Sequence, residues 1–311
     1  MKTLIKKLII AQDLLQETQK ELLNDFKKTN IYKDMDIEFI NKNFLLSFKK
    51  NFFTILMLSL LKESQIPKNR IISYGKIIIL LRQIITSVDN ILDNENKGLI
   101  FIKILDNPVI ENSLIQLMCQ DIITKEILKL QADNNFSGSI LLEKIYEIAM
   151  GENKRNRSLY KIYPDSKYIL DNVHHQIGGE LLEISLTVPL YFEKDNCFLK
   201  KFSKGLFIIG MSLQAIDDFF DMKEDYENND INLATSRYIE CYGVKVEDIS
   251  FDELEEEFVR DYLNECITIA YEGFEILKEG GYPITEKETR FVLKKLFILR
   301  GLKKYVKYIE E

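Results

Sequence analysis

Apolar residues recur every three or four positions along most of this chain, which is the spacing of an α-helix. The pattern predicts an all-α protein with helices over these segments: 4–28, 36–64, 71–94, 109–131, 139–150, 166–190, 196–225, 251–278 and 285–309. The polar stretch ENNDINLATS between two of them is predicted to be a mobile loop. No repeat and no linker is visible, so we expect one helical-bundle domain of about ten helices over residues 1–311.

The composition agrees with a large helical core and excludes several classes of function. The 311 residues are 46% hydrophobic and 29% charged, and they include only 5 Pro and 13 Gly, too few for the many turns of an all-β fold. The net charge is −7 and no basic stripe with interleaved aromatic residues occurs. We therefore expect no nucleic-acid partner.

The four cysteines are scattered and form no zinc-binding pattern. No signal peptide precedes them, so they indicate reduced thiols and a cytoplasmic protein. The most apolar segment, 71–92, contains Lys76, Arg82 and Asp89, which favours a core helix over a membrane span. We expect no membrane span and at most a peripheral association with a membrane.

The stretch QAIDDFFDMKED, from Gln214 to Asp225, carries the first candidate chemistry. On a helix Asp217, Asp221 and Asp225 share one face, and Asp218 joins its edge. Carboxylates repel one another at this spacing and need a partner beside so many apolar residues. One interpretation is a solvated acidic helix end. The other is a Mg²⁺ site, because Mg²⁺ takes carboxylate oxygens and shares its shell with phosphates.

A second acidic pair lies far upstream, in the segment SVDNILDNENKG. Asp89 and Asp93 are four residues apart at the end of an apolar helix and therefore share a face. Two carboxylate sets that face each other across an apolar bundle would hold two or three Mg²⁺ ions. These ions would clamp the diphosphate group of a substrate.

These segments resemble the trans-isoprenoid diphosphate synthase superfamily, which includes class I terpene synthases. The segment KKFSKGLFIIGMSLQAIDDFFDMKED is similar to the second aspartate-rich motif of that family, and DNILDNENKG to a relaxed form of the first. GENKRNRSLYKIYPDSKYILDNVHHQIGGELLEIS resembles the segment between the motifs. The resemblance runs from about residue 71 to 235. It implies the isoprenoid synthase fold, an all-α bundle around an apolar active-site cavity, and Mg²⁺ as the cofactor.

The chain departs from the chain-elongating members of that family at four places. Asn90 follows Asp89 where the family has a second aspartate, and Gln176-Ile177 stand in place of a Lys-Thr pair. Asn96-Lys97 stand in place of an Arg pair, and no Gly-Lys-x-x-Arg element precedes the first motif. In the family these cations bind two diphosphates, so their loss favours an enzyme that ionises only one.

The sequence therefore favours a terpene synthase that ionises an allylic prenyl diphosphate of farnesyl length or longer and releases diphosphate. A prenyltransferase that makes prenyl diphosphates or couples two prenyl units is the first alternative. A non-catalytic partner subunit of a prenyl synthase is the second. The family is usually dimeric, so the resemblance suggests a homodimer, and the sequence leaves the oligomeric state open.

Site residues follow from these roles. The metal ligands expected are Asp89, Asp93, Asp217, Asp218, Asp221 and Asp225. The residues expected to bind the diphosphate are Arg155, Arg157, Lys223, Arg237 and Gln214, with Lys154 in the same basic run. The residues expected to line the cavity or stabilise a carbocation are Phe219, Phe220, Phe207, Tyr191, Gly178 and Gly179. A solvated basic loop and ordinary core packing are the alternatives for the last two sets. His174 and His175 are expected to be structural or exposed rather than catalytic.

Overall fold

The computed structural model describes residues 2–28, 37–39, 50–92, 97–102, 107–130, 139–299 and 301–309. Within these ranges the chain is almost entirely helical, and the all-α class is confirmed. Its α-helices are α1 (Lys2–Lys28), α2 (Phe52–Glu63), α3 (Lys68–Leu92), α4 (Pro108–Leu130), α5 (Ser139–Asn153), α6 (Ser166–Ile169), α7 (Leu181–Phe192), α8 (Cys197–Glu227), α9 (Leu233–Tyr242), α10 (Glu256–Glu279) and α11 (Glu286–Leu299). A π-helical segment, Leu170–Glu180, joins α6 to α7 without a break.

The chain forms two compact units. The N-terminal unit is Lys2–Gly138 with Val188–Asp195, and the C-terminal unit is Ser139–Thr187 with Asn196–Glu311. The single domain predicted over residues 1–311 stays a prediction.

The core of the N-terminal unit lies between α1, α2, α3 and α4, and α2 is buried on nearly all sides. Among the described helices, α3 is long and apolar enough to cross a membrane by length and composition. However, 67% of its most apolar window is buried inside the structure. α3 is therefore mainly a core helix, as the sequence predicts.

A short β-ribbon corrects the helix predicted to begin at residue 36. β1 (Ile37–Phe39) pairs antiparallel with β2 (Ile100–Ile102). Three alternating residues satisfy a strand as well as a helix, so the apolar spacing did not distinguish the two structures. Tertiary contacts favour the strand over the helix. Gln83 Oε1 accepts hydrogen bonds from the amides of Leu99 (2.8 Å) and Ile100 (3.0 Å) and so holds the start of β2 against α3.

The C-terminal unit is built around α8, which packs along α10. The two helices approach closely where Gly205 faces Gly273, since a Cβ on Gly205 would lie 2.9 Å from the carbonyl oxygen of Gly273. Further along, the Ser212 hydroxyl donates to Cys266 O (2.7 Å) and the Tyr262 hydroxyl donates to Ala215 O (2.8 Å). These contacts hold the half of α8 that leads into the acidic stretch.

Two further corrections concern the second half of the chain. α9 begins inside the stretch predicted to be a mobile loop, and Asn232 caps it by accepting from the amide of Thr235 (3.0 Å). The predicted last helix ends at Leu299, and a separate 3₁₀ segment, Lys303–Ile309, follows Gly301. Gly301 has φ +79°, a left-handed conformation that glycine adopts readily and that ends a helix.

Candidate active site

The acidic stretch on α8 places its four carboxylates in two environments. Asp217 and Asp221 are half-buried and lie one turn apart on the same face. Asp218 and Asp225 are only 4% and 5% exposed and lie beside them on the side that other elements cover. The first pair therefore faces the more open side of the helix, and the second pair belongs to the interior.

Asp218 is bound from three directions within the C-terminal unit. His174 Nε2 lies 2.9 Å and the Leu233 amide 2.6 Å from its Oδ2, and Gln214 Nε2 donates to its Oδ1 at 3.0 Å. Burial by itself would raise the pKa of Asp218, but His174, Arg155 and the Leu233 amide together hold the pKa below its usual value. Asp218 is thus a charged anchor that ties α8 to the π-helical segment and to the start of α9.

Asp225 forms the second buried anchor. Arg155 donates to its Oδ1 at 2.7 Å and Asn232 donates to its Oδ2 at 2.6 Å. Burial and the neighbouring Asp218 outweigh Arg155 and Asn232 and raise the pKa of Asp225 to about 7. Asp225 is therefore a buried carboxyl group whose charged form depends on Arg155 and Asn232.

These anchors also order the loop between α8 and α9. The Ile231 amide donates to Arg155 O (2.7 Å), and the Arg157 amide donates to Asn229 O (2.9 Å). Asn232 Nδ2 donates to Asp218 O (2.7 Å) as well as to Asp225. The loop predicted here is present over residues 228–232, and backbone and side-chain hydrogen bonds attach residues 229–232 to two elements.

The predicted diphosphate-binding cations are distributed differently from the expectation. Arg155 pairs with Asp225, Lys223 pairs with Asp252 at 2.8 Å, and Arg237 pairs with Glu265 at 2.6 Å. Lys223 is exposed because it comes two residues after Asp221 and so lies on roughly the opposite face of α8. These three cations already have carboxylate partners.

The remaining members of the basic run bind neutral oxygens. Lys154 Nζ lies 2.9 Å from Gln176 Oε1 and 3.3 Å from Asn172 O. The Arg157 guanidinium donates to Tyr160 O and lies 5.4 Å from the ring centroid of Tyr163. The structure thus brings Gln214 and Arg155 into the acidic centre. The assignment of any of these residues to a diphosphate stays a prediction.

The predicted glycine pair lies at the contact of the π-helical segment with α8. A Cβ on Gly178 would lie 2.8 Å from Gly210 O, and a Cβ on Gly179 would lie 2.5 Å from the ring of Phe207. Phe207 is half-buried and also contacts His175, with 4.7 Å between the ring centroids. Close packing therefore accounts for both glycines. Whether they line a cavity stays a prediction.

The other predicted aromatic residues lie in separate places. Phe219 stacks on Tyr262 at 6.0 Å and so belongs to the core beside α10. Phe220 is 59% exposed, and Tyr191 lies on α7 in the N-terminal unit. Their proposed role towards a carbocation stays a prediction.

The first motif lies at the end of α3 in the N-terminal unit. Asp89 is exposed on this helix, and Asp93 lies outside the described residues. Asn90, which stands where the family has a second aspartate, is buried. Its side-chain Oδ1 accepts a hydrogen bond from the backbone N–H of Lys97 (2.9 Å), and its Nδ2 donates to Lys97 O. Its amide also donates to Asn112 Oδ1 (3.1 Å). Asn90 therefore connects the end of α3 to Lys97 and to α4. The prediction that the two acidic clusters face each other stays a prediction.

Comparison with known proteins rests on structure. No family model matches the chain, and no curated protein matches it. Among solved structures, a geranylgeranyl pyrophosphate synthetase from Geoglobus acetivorans is 15% identical, with a TM-score of 0.53 over 97% of this chain and 100% of that one. A polyprenyl synthase from Roseobacter denitrificans is 11% identical, with a TM-score of 0.54 over 98% and 99%. A heptaprenyl diphosphate synthase from Staphylococcus aureus is 14% identical, with a TM-score of 0.55 over 93% and 98%.

The chain has the isoprenoid synthase fold. Similarity at 11–15% identity establishes the fold alone, so the resemblance drawn from the aspartate-rich motifs is confirmed at that level.

Within the isoprenoid synthase fold, Arg82 on α3 is a cation that the sequence analysis did not assign to the site. It lies seven residues before Asp89, two turns away and therefore on the same face of α3. Its guanidinium donates to Lys50 O (2.7 Å) and lies 3.4 Å from both Asn51 Oδ1 and Thr54 Oγ1. Burial lowers the pKa of Arg82, and among the described residues only neutral oxygens accept from it. A lone arginine in the apolar run IIILLRQII was the signal that would have identified it.

The residues of the C-terminal unit fit a cation. Burial raises the pKa of Asp225, Glu152 and Asp230, with Arg155 as the opposing positive charge in each case. Among the described residues, no three Asp, Glu, His or Cys side chains come together to hold a metal ion alone. Asp217 and Asp221 supply the carboxylate oxygens that Mg²⁺ prefers, so such an ion would complete its shell with oxygens from a ligand such as diphosphate.

Replacing Asn90 by Asp tests the structural role of Asn90 in the first motif. The aspartate would restore the adjacent pair of the family, but it would place a carboxylate against two acceptors, Lys97 O and Asn112 Oδ1. We expect the free energy of unfolding to fall by about 2–3 kcal/mol, since two buried hydrogen bonds are lost. Urea denaturation measures it, with the exposed Asn264→Asp as the matched control. A variant as stable as the parent would contradict this role of Asn90.

Proposed function

We propose that this chain is a trans-prenyltransferase that ionises an allylic prenyl diphosphate and joins the allylic carbon to a second isoprenoid diphosphate. In this reaction the C–O bond to the diphosphate breaks, a new C–C bond forms at the allylic carbon, and the acceptor loses a proton. The terpene synthase favoured by the sequence performs the first of these steps on one substrate only. The choice between the two therefore depends on a site for a second diphosphate.

Arg82 is the observation that supports a second diphosphate. A buried guanidinium costs free energy unless it is paired, and here its acceptors are neutral oxygens at the start of α2. Guanidinium groups bind phosphate oxygens through two parallel N–H donors. Arg82 shares the face of Asp89, so an anion bound by Arg82 would lie on the side of α3 that carries the first motif. The missing cations of the family are thus replaced at least in part by a residue on another element.

The names of the structural neighbours support the same choice. The compared proteins are described as synthases of geranylgeranyl, polyprenyl and heptaprenyl chains. In our proposal the carboxylates of Asp217 and Asp221 on α8 serve the diphosphate of the allylic substrate. Mg²⁺ bound by these carboxylates would neutralise the leaving diphosphate and so favour heterolysis. Asp218 and Asp225 keep α8 in place through His174 and Arg155.

We place this enzyme in the cytoplasm, because all four cysteines are free thiols, as a reducing compartment requires. The homodimer suggested by the resemblance stays a prediction.

An assay with and without isopentenyl diphosphate tests the proposal. The protein is incubated with Mg²⁺ and farnesyl or geranylgeranyl diphosphate, and the products are identified by mass spectrometry. A longer prenyl diphosphate that forms only with isopentenyl diphosphate present would support the proposal. A hydrocarbon or alcohol from the allylic substrate alone would overturn it in favour of a terpene synthase. No turnover under either condition would favour a non-catalytic partner subunit.

Replacing Arg82 by Gln is expected to raise the KM for isopentenyl diphosphate by about 10- to 100-fold, because a charge-assisted hydrogen bond contributes roughly 1.5–3 kcal/mol. The KM for the allylic substrate should change little. Steady-state kinetics with each substrate varied in turn measure both constants. Arg82→Lys keeps the charge and should recover part of the loss, and Lys62→Gln, on the exposed side of α2, is the matched control. An unchanged KM for isopentenyl diphosphate in Arg82→Gln would remove this support.

A further inference from the structure

The outward side of α11 forms a basic surface with two apolar residues in its middle. Lys287, Lys294 and Lys295 share one side of this helix with Phe291 and Ile298, by the spacing of an α-helix. All five are half-buried or exposed. We call these five residues the basic face.

The opposite side of α11 is firmly buried. Val292, Leu293, Leu296 and Phe297 are at most 3% exposed and fix the orientation of the helix. The basic face must therefore point away from the core of the C-terminal unit. On it, Ile298 remains 43% exposed, and the Lys295 ammonium lies 5.4 Å from the ring centroid of Phe291.

The two acidic residues of α11 bind partners outside the basic face. Glu288 is fully buried and accepts from Thr285, at the start of the helix. Glu286 pairs with Arg290 at 2.7 Å. Beyond the end of the helix, Lys303 and Lys304 are exposed and continue the positive charge.

This concentration of charge opposes the rest of the chain. Residues 286–309 contain eight Lys and Arg but only two Glu, whereas the whole chain has a net charge of −7. An acidic protein with one basic, partly apolar helix face has a surface complementary to an anionic layer.

We propose that the basic face docks on an anionic phospholipid surface. Lysines around a half-buried Phe and an exposed Ile have the composition of helices that lie in a membrane interface, where the apolar groups enter the acyl boundary and the cations meet lipid phosphates. A nucleic acid would use the cations but gains nothing from Phe291 and Ile298 between them. The surface is separate from the candidate active site, and binding to vesicles needs no substrate. Failure of this proposal and failure of the prenyltransferase proposal are therefore distinguishable.

Vesicle sedimentation tests the docking. The full chain is mixed with phosphatidylglycerol–phosphatidylcholine vesicles and, separately, with pure phosphatidylcholine vesicles. We expect binding to the anionic vesicles only, weakened by added salt because exposed charges are screened. The triple variant Lys287→Gln, Lys294→Gln, Lys295→Gln should bind about 100-fold more weakly, since each lysine near an anionic surface contributes roughly a factor of five.

A control variant removes the same charge from elsewhere in the C-terminal unit. Lys161→Gln, Lys200→Gln, Lys204→Gln changes three exposed lysines and should bind like the parent. Ile298→Ser tests the apolar part and should weaken binding without any change of charge, while circular dichroism verifies that each variant is folded. Equal binding to both kinds of vesicle, unchanged binding of the basic-face variant, or binding to duplex DNA as tight as to anionic vesicles would each overturn the proposal.

Discussion

Replacing Asp217 or Asp221 by Asn is expected to lower kcat/KM by at least about 100-fold while the protein stays folded. The reason lies in how α8 divides its carboxylates. Asp217 and Asp221 are half-buried on the more open side, whereas Asp218 and Asp225 are committed to His174 and Arg155 in the interior. An amide keeps the shape of the side chain but removes the charge that would hold a cation and, through it, a diphosphate.

The assay for these variants is release of diphosphate from an allylic prenyl diphosphate at several Mg²⁺ concentrations. If the lost charge acts through a cation, the concentration of Mg²⁺ needed for half-maximal activity should rise along with the loss of turnover. The matched control is Asp261→Asn, which removes one exposed carboxylate from α10 and should leave both values unchanged. Full turnover in Asp217→Asn and Asp221→Asn would contradict both enzymatic interpretations of the acidic stretch.

The contrast between the two carboxylate pairs shows how far sequence reasoning reaches. The four-residue spacing of Asp217, Asp221 and Asp225 correctly predicts that they lie on one side of a helix, because helix geometry alone determines which residues share a side. It does not reveal that Asp225 binds Arg155, seventy residues earlier, since that pairing depends on how the loop 228–232 packs against α5 and the residues after it. The sequence therefore identifies the acidic stretch, but it does not show which of its carboxylates are buried and paired and which are on the more open side.

Elements that depend on tertiary contacts were the ones that periodicity missed. β1 forms only because β2 lies beside it, and α9 begins where Asn232 caps it and Asp218 binds its first amide. Local polarity suggested a loop at the second place. The π-helical segment could not be read from the sequence either, because the Gly178–Gly210 contact that accompanies it involves a residue on another helix.

Arg82 and Asn90 give the same lesson for the site. Both appeared in the sequence as exceptions, one as a charge in an apolar helix and the other as a departure from a motif. The structure gives each a set of partners, the start of α2 for Arg82 and Lys97 with Asn112 for Asn90. Neither set of partners could be read from the sequence, because the partners lie on other segments of the chain.

Replacing Arg155 by Met is expected to lower the free energy of unfolding by about 2–3 kcal/mol. Breaking a buried ion pair typically costs roughly 3–5 kcal/mol, and the expected loss is smaller here because the Arg155 side chain is 24% exposed. The loss arises because Asp225, with a side chain only 7% exposed and a pKa already raised to about 7, loses the positive charge that stabilises its carboxylate and is left buried without its main partner. Urea denaturation monitored by circular dichroism measures the change.

A double variant separates this structural role from the diphosphate-binding role predicted from the sequence. Adding Asp225→Asn to Arg155→Met removes the buried carboxyl group that has lost its partner and keeps a polar side chain beside Asn232, so at least half of the lost stability should return. If Arg155 served mainly to bind diphosphate, the single variant would raise the KM for the allylic substrate with unchanged stability, and the second substitution would restore nothing. Arg155 is bound to Asp225 and to the backbone of the loop before α9, so we expect the first result.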